Sequence, residues 1–224
     1  MKKIITSISL FLGLISNAQY IEPTRFEVDA NVGYNLTFGI QKPHKNTFVN
    51  KNGFNKAYSG MVTEIAAHYR LGFASNYLIG IRFNQVKGNK EYERNYITET
   101  EMNVMQYQGS LTFIGASFQR QLWNRIGTRF ITTSISPGVM FLKNNVSGIT
   151  NGTVSASGLA INLSSSMGYT IYKDLLFTTN LGVDYANFSK YNLDLSKTTN
   201  SNDYKFGTSH FIRAKFAVGL RYKL

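Results

Sequence analysis

The residues best suited to acid–base or nucleophilic chemistry are few. Three histidines occur, in the contexts His44-Lys45-Asn46, His68-Tyr69-Arg70 and His210-Phe211-Ile212, and cysteine is absent. Without cysteine there is no thiol nucleophile, disulfide framework, Cys-ligated zinc or iron–sulfur site. On a strand, a histidine and a serine share a face when they stand two residues apart, and an ester hydrolase also needs a carboxylate to orient the base. None of the three contexts supplies that spacing. Ser209 and His210 are adjacent, so on a strand they point to opposite faces. Neither a Walker-type phosphate loop nor an H-E-x-x-H metal spacing occurs. The sequence therefore assigns no catalytic, metal-ligating or cofactor-binding residue, and catalysis is not expected.

What the chain does carry is charge of both signs at a constrained parity. Glu27, Asp29, Glu64 and Asp184, with Arg70, Arg82, Arg213, Lys215 and Arg221, all fall on the polar side of segments that alternate apolar and polar. His68 falls on that side next to Arg70 and is read as a structural hydrogen-bonding residue. A buried charge is costly unless paired, so an enclosed polar face has to balance its signs. Folding about a turn near Ala74 brings Glu64 toward Arg82. Closing the last segment onto the first puts Arg221 near Glu27 or Asp29, and Asp184 can face Arg213 or Lys215. The expectation is an interior polar network.

The elements that must position these groups are strands. Phe26 to Ile40 places an apolar residue at every second position, where a helix would return them at three and four. The same period runs through Met61–Leu71, Tyr77–Phe83, Met105–Phe113, Ile131–Phe141, Leu159–Ile171, Phe177–Tyr185 and His210–Leu224, which makes eight strands. Connections alternate in length. Long or medium polar segments at Gln41–Lys56, Lys87–Glu101, Lys143–Gly152 and Ser189–Thr208 alternate with short turns at Gly72–Asn76, Gln121–Gly127 and Lys173-Asp174. Pro137 lacks a ladder donor and is expected to mark a bulge.

The first eighteen residues read as a secretory signal, with Lys2 and Lys3, an apolar run from Ile4 to Ile15, and small residues Ser16 and Ala18. The run is too short to cross a bilayer, and Lys2 and Lys3 would leave with it, lowering the formal charge of +12 by two. The expected domains are a signal peptide at 1–18 and one β-barrel domain at 19–224. Nothing downstream is apolar enough to cross a membrane as a helix. Even-numbered antiparallel strands, with short turns at one end and long loops at the other, are what an outer-membrane barrel requires.

Alternation alone does not say which face is outside. A soluble lipocalin-like carrier turns its apolar face inward and a membrane barrel turns it outward. Small residues on the polar set suit the cramped interior of an eight-stranded barrel. Aromatics gather at strand ends: Tyr69, Phe73, Tyr77, Trp123, Tyr169, Tyr172 and Tyr222 by the short turns, and Phe38, Tyr58, Tyr107, Phe141 and Tyr185 by the long loops. Both features favour lipid outside and a plugged polar interior, too narrow for a diffusion porin.

The signal end Ser16-Asn17-Ala18-Gln19, the Gly33-Tyr34 pair in the opening strand and the closing stretch Phe216–Leu224 resemble the small outer-membrane β-barrel family of Bacteroidota-type bacteria, the PorT-like group. In architecture the chain is similar to the eight-stranded OmpA and OmpX barrels. The resemblance implies an integral protein of the cell outer membrane and assigns it no role; the missing catalytic spacing and the lysine-rich loops lead instead to the expectation of a structural or surface-binding part, in contact with outer-membrane lipid. The alternatives are a lipid A-modifying enzyme on the same scaffold and the soluble carrier. Lysines in the long loops, Lys42, Lys45, Lys51, Lys56, Lys87 and Lys90, would then face lipopolysaccharide phosphates, and the loops could hold an envelope protein partner. Export makes nucleic acid an unsuitable partner for this basic chain.

Overall fold

The computed structural model describes residues 25–41, 58–72, 76–88, 91–98, 101–147, 152–195 and 209–224. They form antiparallel strands β1 (Phe26–Gln41), β2 (Gly60–Arg70), β3 (Tyr77–Gly88), β4 (Glu91–Thr98), β5 (Glu101–Trp123), β6 (Arg129–Ser147), β7 (Gly152–Tyr172), β8 (Leu175–Leu195) and β9 (Ser209–Lys223). Apart from β3 and β4, neighbours in sequence pair antiparallel, β9 returns to β1, and β3 pairs with β5, so the sheet closes on itself. The last β3 pair is Lys87↔Ser110 and the first β4 pair is Glu91↔Tyr107, both on the same edge of β5. β3 and β4 are thus one ribbon with a one-residue slip, and the barrel has eight strands around.

The register fixes the shape. Stepping across the ladder from Asn31 through Glu64, Asn84, Phe113, Met140, Gly158, Phe188 and Ser209 returns to β1 at Gln41, ten residues along. Eight strands with that stagger tilt by about 40° from the axis, given a rise of about 3.3 Å per residue and strands about 4.8 Å apart. The interior is then just wide enough to be filled by side chains.

The apolar parity is on the outside. Leu159 is 78% exposed and Ile81 67%, whereas Glu64 and Arg82 on the opposite parity are 2% and 4% exposed. Tyr69, Tyr77, Tyr169 and Tyr222 ring the short-turn end, and Phe38, Phe141 and Tyr185 the other, all on the exterior. Along β9 the run from Ile212 to Tyr222 spans about 25 Å of axis at this tilt, the height of the apolar band of an outer-membrane barrel. A closed ring is also the only sheet that leaves no unpaired edge in hydrocarbon. The inverted arrangement of a soluble carrier is excluded.

Several sequence expectations need correction. The interior is not polar throughout: toward the long-loop end it is filled by an apolar cluster including Tyr58, Val86, Leu111, Phe113, Phe188 and Phe211. In β5 the parity of the apolar set changes, so Leu111 and Phe113 point inward, while Ile114 and Phe118 point to lipid. Trp123 and Tyr58, expected in the girdles, are inside. Trp123 packs on Phe130 at 5.0 Å between ring centres, and with Leu176 forms a second apolar cluster. The expected loop at Lys87–Glu101 is instead largely the β4–β5 hairpin, and β8 runs on to Leu195, so pairing continues beyond the lengths needed to cross lipid. Pro137 interrupts the β5–β6 ladder without a bulge, for Gly115↔Gly138 and Phe118↔Ile135 keep one register across it. Phe73 lies outside the described residues, as does the side chain of Tyr107.

The short turns are built locally. In β5–β6 the Asn124 side-chain oxygen accepts the backbone N–H groups of Thr128 at 2.9 Å and Arg129 at 3.1 Å, and Gly127 takes a positive φ of 71°. Asn124 thereby mimics a backbone turn. The two-residue turn Lys173-Asp174 carries a left-handed lysine, at φ 42°.

Candidate functional site

The inward-facing charges converge because all strands contribute the same parity to one narrow tube. Nearest the short turns, Arg70 donates to Glu27 at 2.7 Å and to Gln121, and Gln121 donates to the other Glu27 oxygen at 3.1 Å. Arg221 grips both oxygens of Asp29 and reaches Glu27 at 3.3 Å. This bidentate geometry is the strong form of an arginine–carboxylate contact. Arg221 also lies 4.7 Å from the ring centre of Phe130, and Lys223 3.9 Å from that of Trp123, so cations cap the lower aromatic cluster.

At mid-height Glu64 pairs with Lys215 and accepts from Asn180 at 3.1 Å, with Arg82 at 3.8 Å. Arg82 spends its donors across the tube on Asn162 at 2.7 Å, Ser134 at 3.0 Å and Ser164. Arg213 donates to Asp184 at 2.6 Å through Nε and to Asn84 through its terminal nitrogen, while Asn162 donates to Asp184. Among the described residues, five buried cations thus meet four buried carboxylates, each with an opposite partner, while Lys223 stands at the mouth of the tube over Trp123.

All ten lumen residues named from sequence face the tube. The contacts refine the expected pairing: Lys215 is the near partner of Glu64, Arg82 serves mainly neutral acceptors, and Arg213 takes Asp184. Asn84, Asn162, Asn180 and Gln121 carry the network as much as the charges do, and sequence reading passed over them. The parity of Asn84, Asn162 and Asn180 marked them as inward, but polar neutral residues are equally ordinary on a solvated face, and Gln121 was read as the start of a turn where β5 in fact continues to Trp123.

One grouping has the form of a nucleophile relay. His68 Nε2 lies 3.0 Å from Ser117 Oγ, and His68 Nδ1 lies 3.7 Å from an Asp29 oxygen. Sequence could not show it, because the serine is 49 residues away on β5. Its surroundings are those of a structural link. Ser117 is 1% exposed, and Asp29 gives both oxygens to Arg221 rather than a close bond to the imidazole. A hydrolase needs room for a carbonyl beside the hydroxyl and a base held in one tautomer. No group of three or more metal-binding side chains is present among the described residues.

Of the lysines read as lipopolysaccharide contacts, Lys42, Lys45, Lys51, Lys56 and Lys90 lie outside the described residues. Lys87 is on β3, exposed on the outer face toward the long-loop end.

No protein-family model matches the chain, and no curated protein matches it. Solved structures do. Neisserial surface protein A is similar over 89% of this chain and 97% of its own, with a TM-score of 0.53 at 11% identity. A major outer membrane protein of Thermus thermophilus is similar over 89% of this chain and 99% of its own, with a TM-score of 0.55 at 10% identity. At such identities the likeness is one of fold. The fold is that of an outer-membrane barrel. With its lipid-facing apolar band and closed ladder, the chain is a transmembrane β-barrel of the Gram-negative outer membrane.

Proposed function

We propose that this barrel is a non-catalytic, non-conducting component of the outer membrane that acts by surface binding, its basic long loops contacting lipopolysaccharide. The observation that carries the reading is the filling of the tube: an aromatic cluster at each end and, between them, a paired charge layer. Among the described residues such a lumen offers no continuous polar path for ions, which leaves the exterior and the loops as working surfaces. Membership of the PorT-like group is part of the same proposal, supported by the strand pattern and the closing stretch Phe216–Leu224. The test is reconstitution in planar bilayers together with lipopolysaccharide co-purification. The expected result is no regular conductance step, and a sharp drop in retained lipopolysaccharide when Lys45, Lys51 and Lys56 are changed to Glu. Stable single-channel openings, or unchanged retention, would remove the reading.

A lipid-modifying enzyme is the second reading, favoured by the Ser117–His68–Asp29 grouping alone. A fluorophosphonate probe decides it: labelling of the folded barrel that disappears in Ser117→Ala supports catalysis, and absence of labelling supports the structural role.

A further inference from the structure

Two grooves on the outer wall share one construction. The first, about 440 Å³, runs across β3, β5 and β6 and is walled by Tyr77, Ile79, Phe118, Thr133 and Ile135, with Arg120 at its lower end. The second, about 570 Å³, runs across β6, β7 and β8 between Met167, Tyr169, Phe177 and Thr179, with Arg129 at its lower end. In each, a short threonine between large apolar neighbours leaves the trough. Arg120 is paired directly with Thr133, and Thr179 with Met167. Both arginines are on the exposed parity. Arg120 stands across the ladder from Tyr77, with its guanidinium 6.0 Å from that ring, and Arg129 stands across from Tyr169. Each cation is therefore at the height of the aromatic girdle on the short-turn side, where headgroups begin. Among the described residues neither has a carboxylate partner.

The geometry points to two binding sites for anionic glycerophospholipid of the periplasmic leaflet, one acyl chain lying in each groove and its phosphate on Arg120 or Arg129. The trough gives the chain close van der Waals packing along its length, and the planar guanidinium matches a phosphate with two donors. The depth selects the leaflet, because lipopolysaccharide occupies the opposite side, where the long loops are. The inference rests on the transmembrane orientation and not on what the loops bind.

The test uses the full barrel purified in detergent, delipidated, and titrated with dioleoylphosphatidylglycerol or dioleoylphosphatidylethanolamine, with bound lipids counted by native mass spectrometry. The expected result is two saturable phosphatidylglycerol molecules per barrel, with each arginine contributing about fivefold in affinity at about 1 kcal/mol per basic residue near a membrane surface. Arg120→Ala and Arg129→Ala should each remove one preferred lipid, the lysine variants should retain most of the preference, and Thr133→Trp should block the first site with no change of charge. Equal uptake of both lipids, or a preference that survives the double alanine variant, would overturn the inference, as would displacement of both lipids by lipopolysaccharide. Heat-modifiable gel mobility is followed in parallel. Its absence from the wild-type protein would count against the barrel orientation itself, which separates that failure from a failure of the lipid sites.

Discussion

At the scale of single residues, the lumen is governed by the cost of an unpaired charge. Glu64 and Lys215 are both buried and each is the near partner of the other. Removing one leaves the other buried without its near partner, which typically costs about 3–5 kcal/mol, while replacing both by apolar residues of similar size is often neutral. Glu64→Ala is therefore expected to lower the unfolding free energy measured in urea by roughly that amount and to weaken heat-modifiable mobility, and Glu64→Leu with Lys215→Met to recover most of the loss. A single variant that unfolds like wild type would show that the network does not support the barrel. Gly80 is a different kind of constraint. A Cβ there would collide with the Ala67 carbonyl across the β2–β3 ladder, so Gly80→Val should reduce the folded fraction recovered from urea.

At the scale of elements, hairpins are held by short turns whose chemistry is local. Asn124 closes the β5–β6 turn by accepting two backbone N–H groups, and Asn124→Ala should cost about 1–2 kcal/mol in equilibrium unfolding. Asn124→Asp, which keeps the accepting oxygen, should cost less. An Ala variant as stable as wild type would mean that water replaces the side chain without loss. The Lys173-Asp174 turn forces a lysine into the left-handed region, so Lys173→Asn is expected to stabilise the barrel modestly, by about 0.5 kcal/mol in the same measurement.

At the scale of the whole molecule, the tube is closed by layers acting in series. Truncating the upper cluster with Phe113→Ala and Phe211→Ala should destabilise the barrel by about 3–5 kcal/mol for each ring, because both side chains are fully buried. The double variant is still expected to give no conductance steps in planar bilayers, since the paired charge layer and the Trp123 cluster remain beneath it. Openings in that variant alone would place the entire seal in the upper cluster. The long-range character of the pairing, with β1 waiting for β9, also implies slow folding.

The strand period, the parity of the charged residues and the short turns were written in the amino-acid order, because a pleated strand sends neighbours to opposite faces whatever surrounds it. Phe26 to Ile40 and Leu159 to Ile171 were legible for that reason, as was the inward side of Glu27, Asp29 and Arg221. Tertiary closure decided the rest. The ten-residue stagger sets which inward side chains share a height, so it pairs Glu64 with Lys215, 151 residues apart, and leaves Arg82 to neutral partners. It also gathers Tyr58, Leu111, Phe113, Phe188 and Phe211 into an apolar cap inside a tube that local parity made wholly polar. Each strand alone carries only its own two faces. Height around a closed ring is a property of all eight together, which is why the seal and the relay of Ser117, His68 and Asp29 appear only when the cylinder is complete.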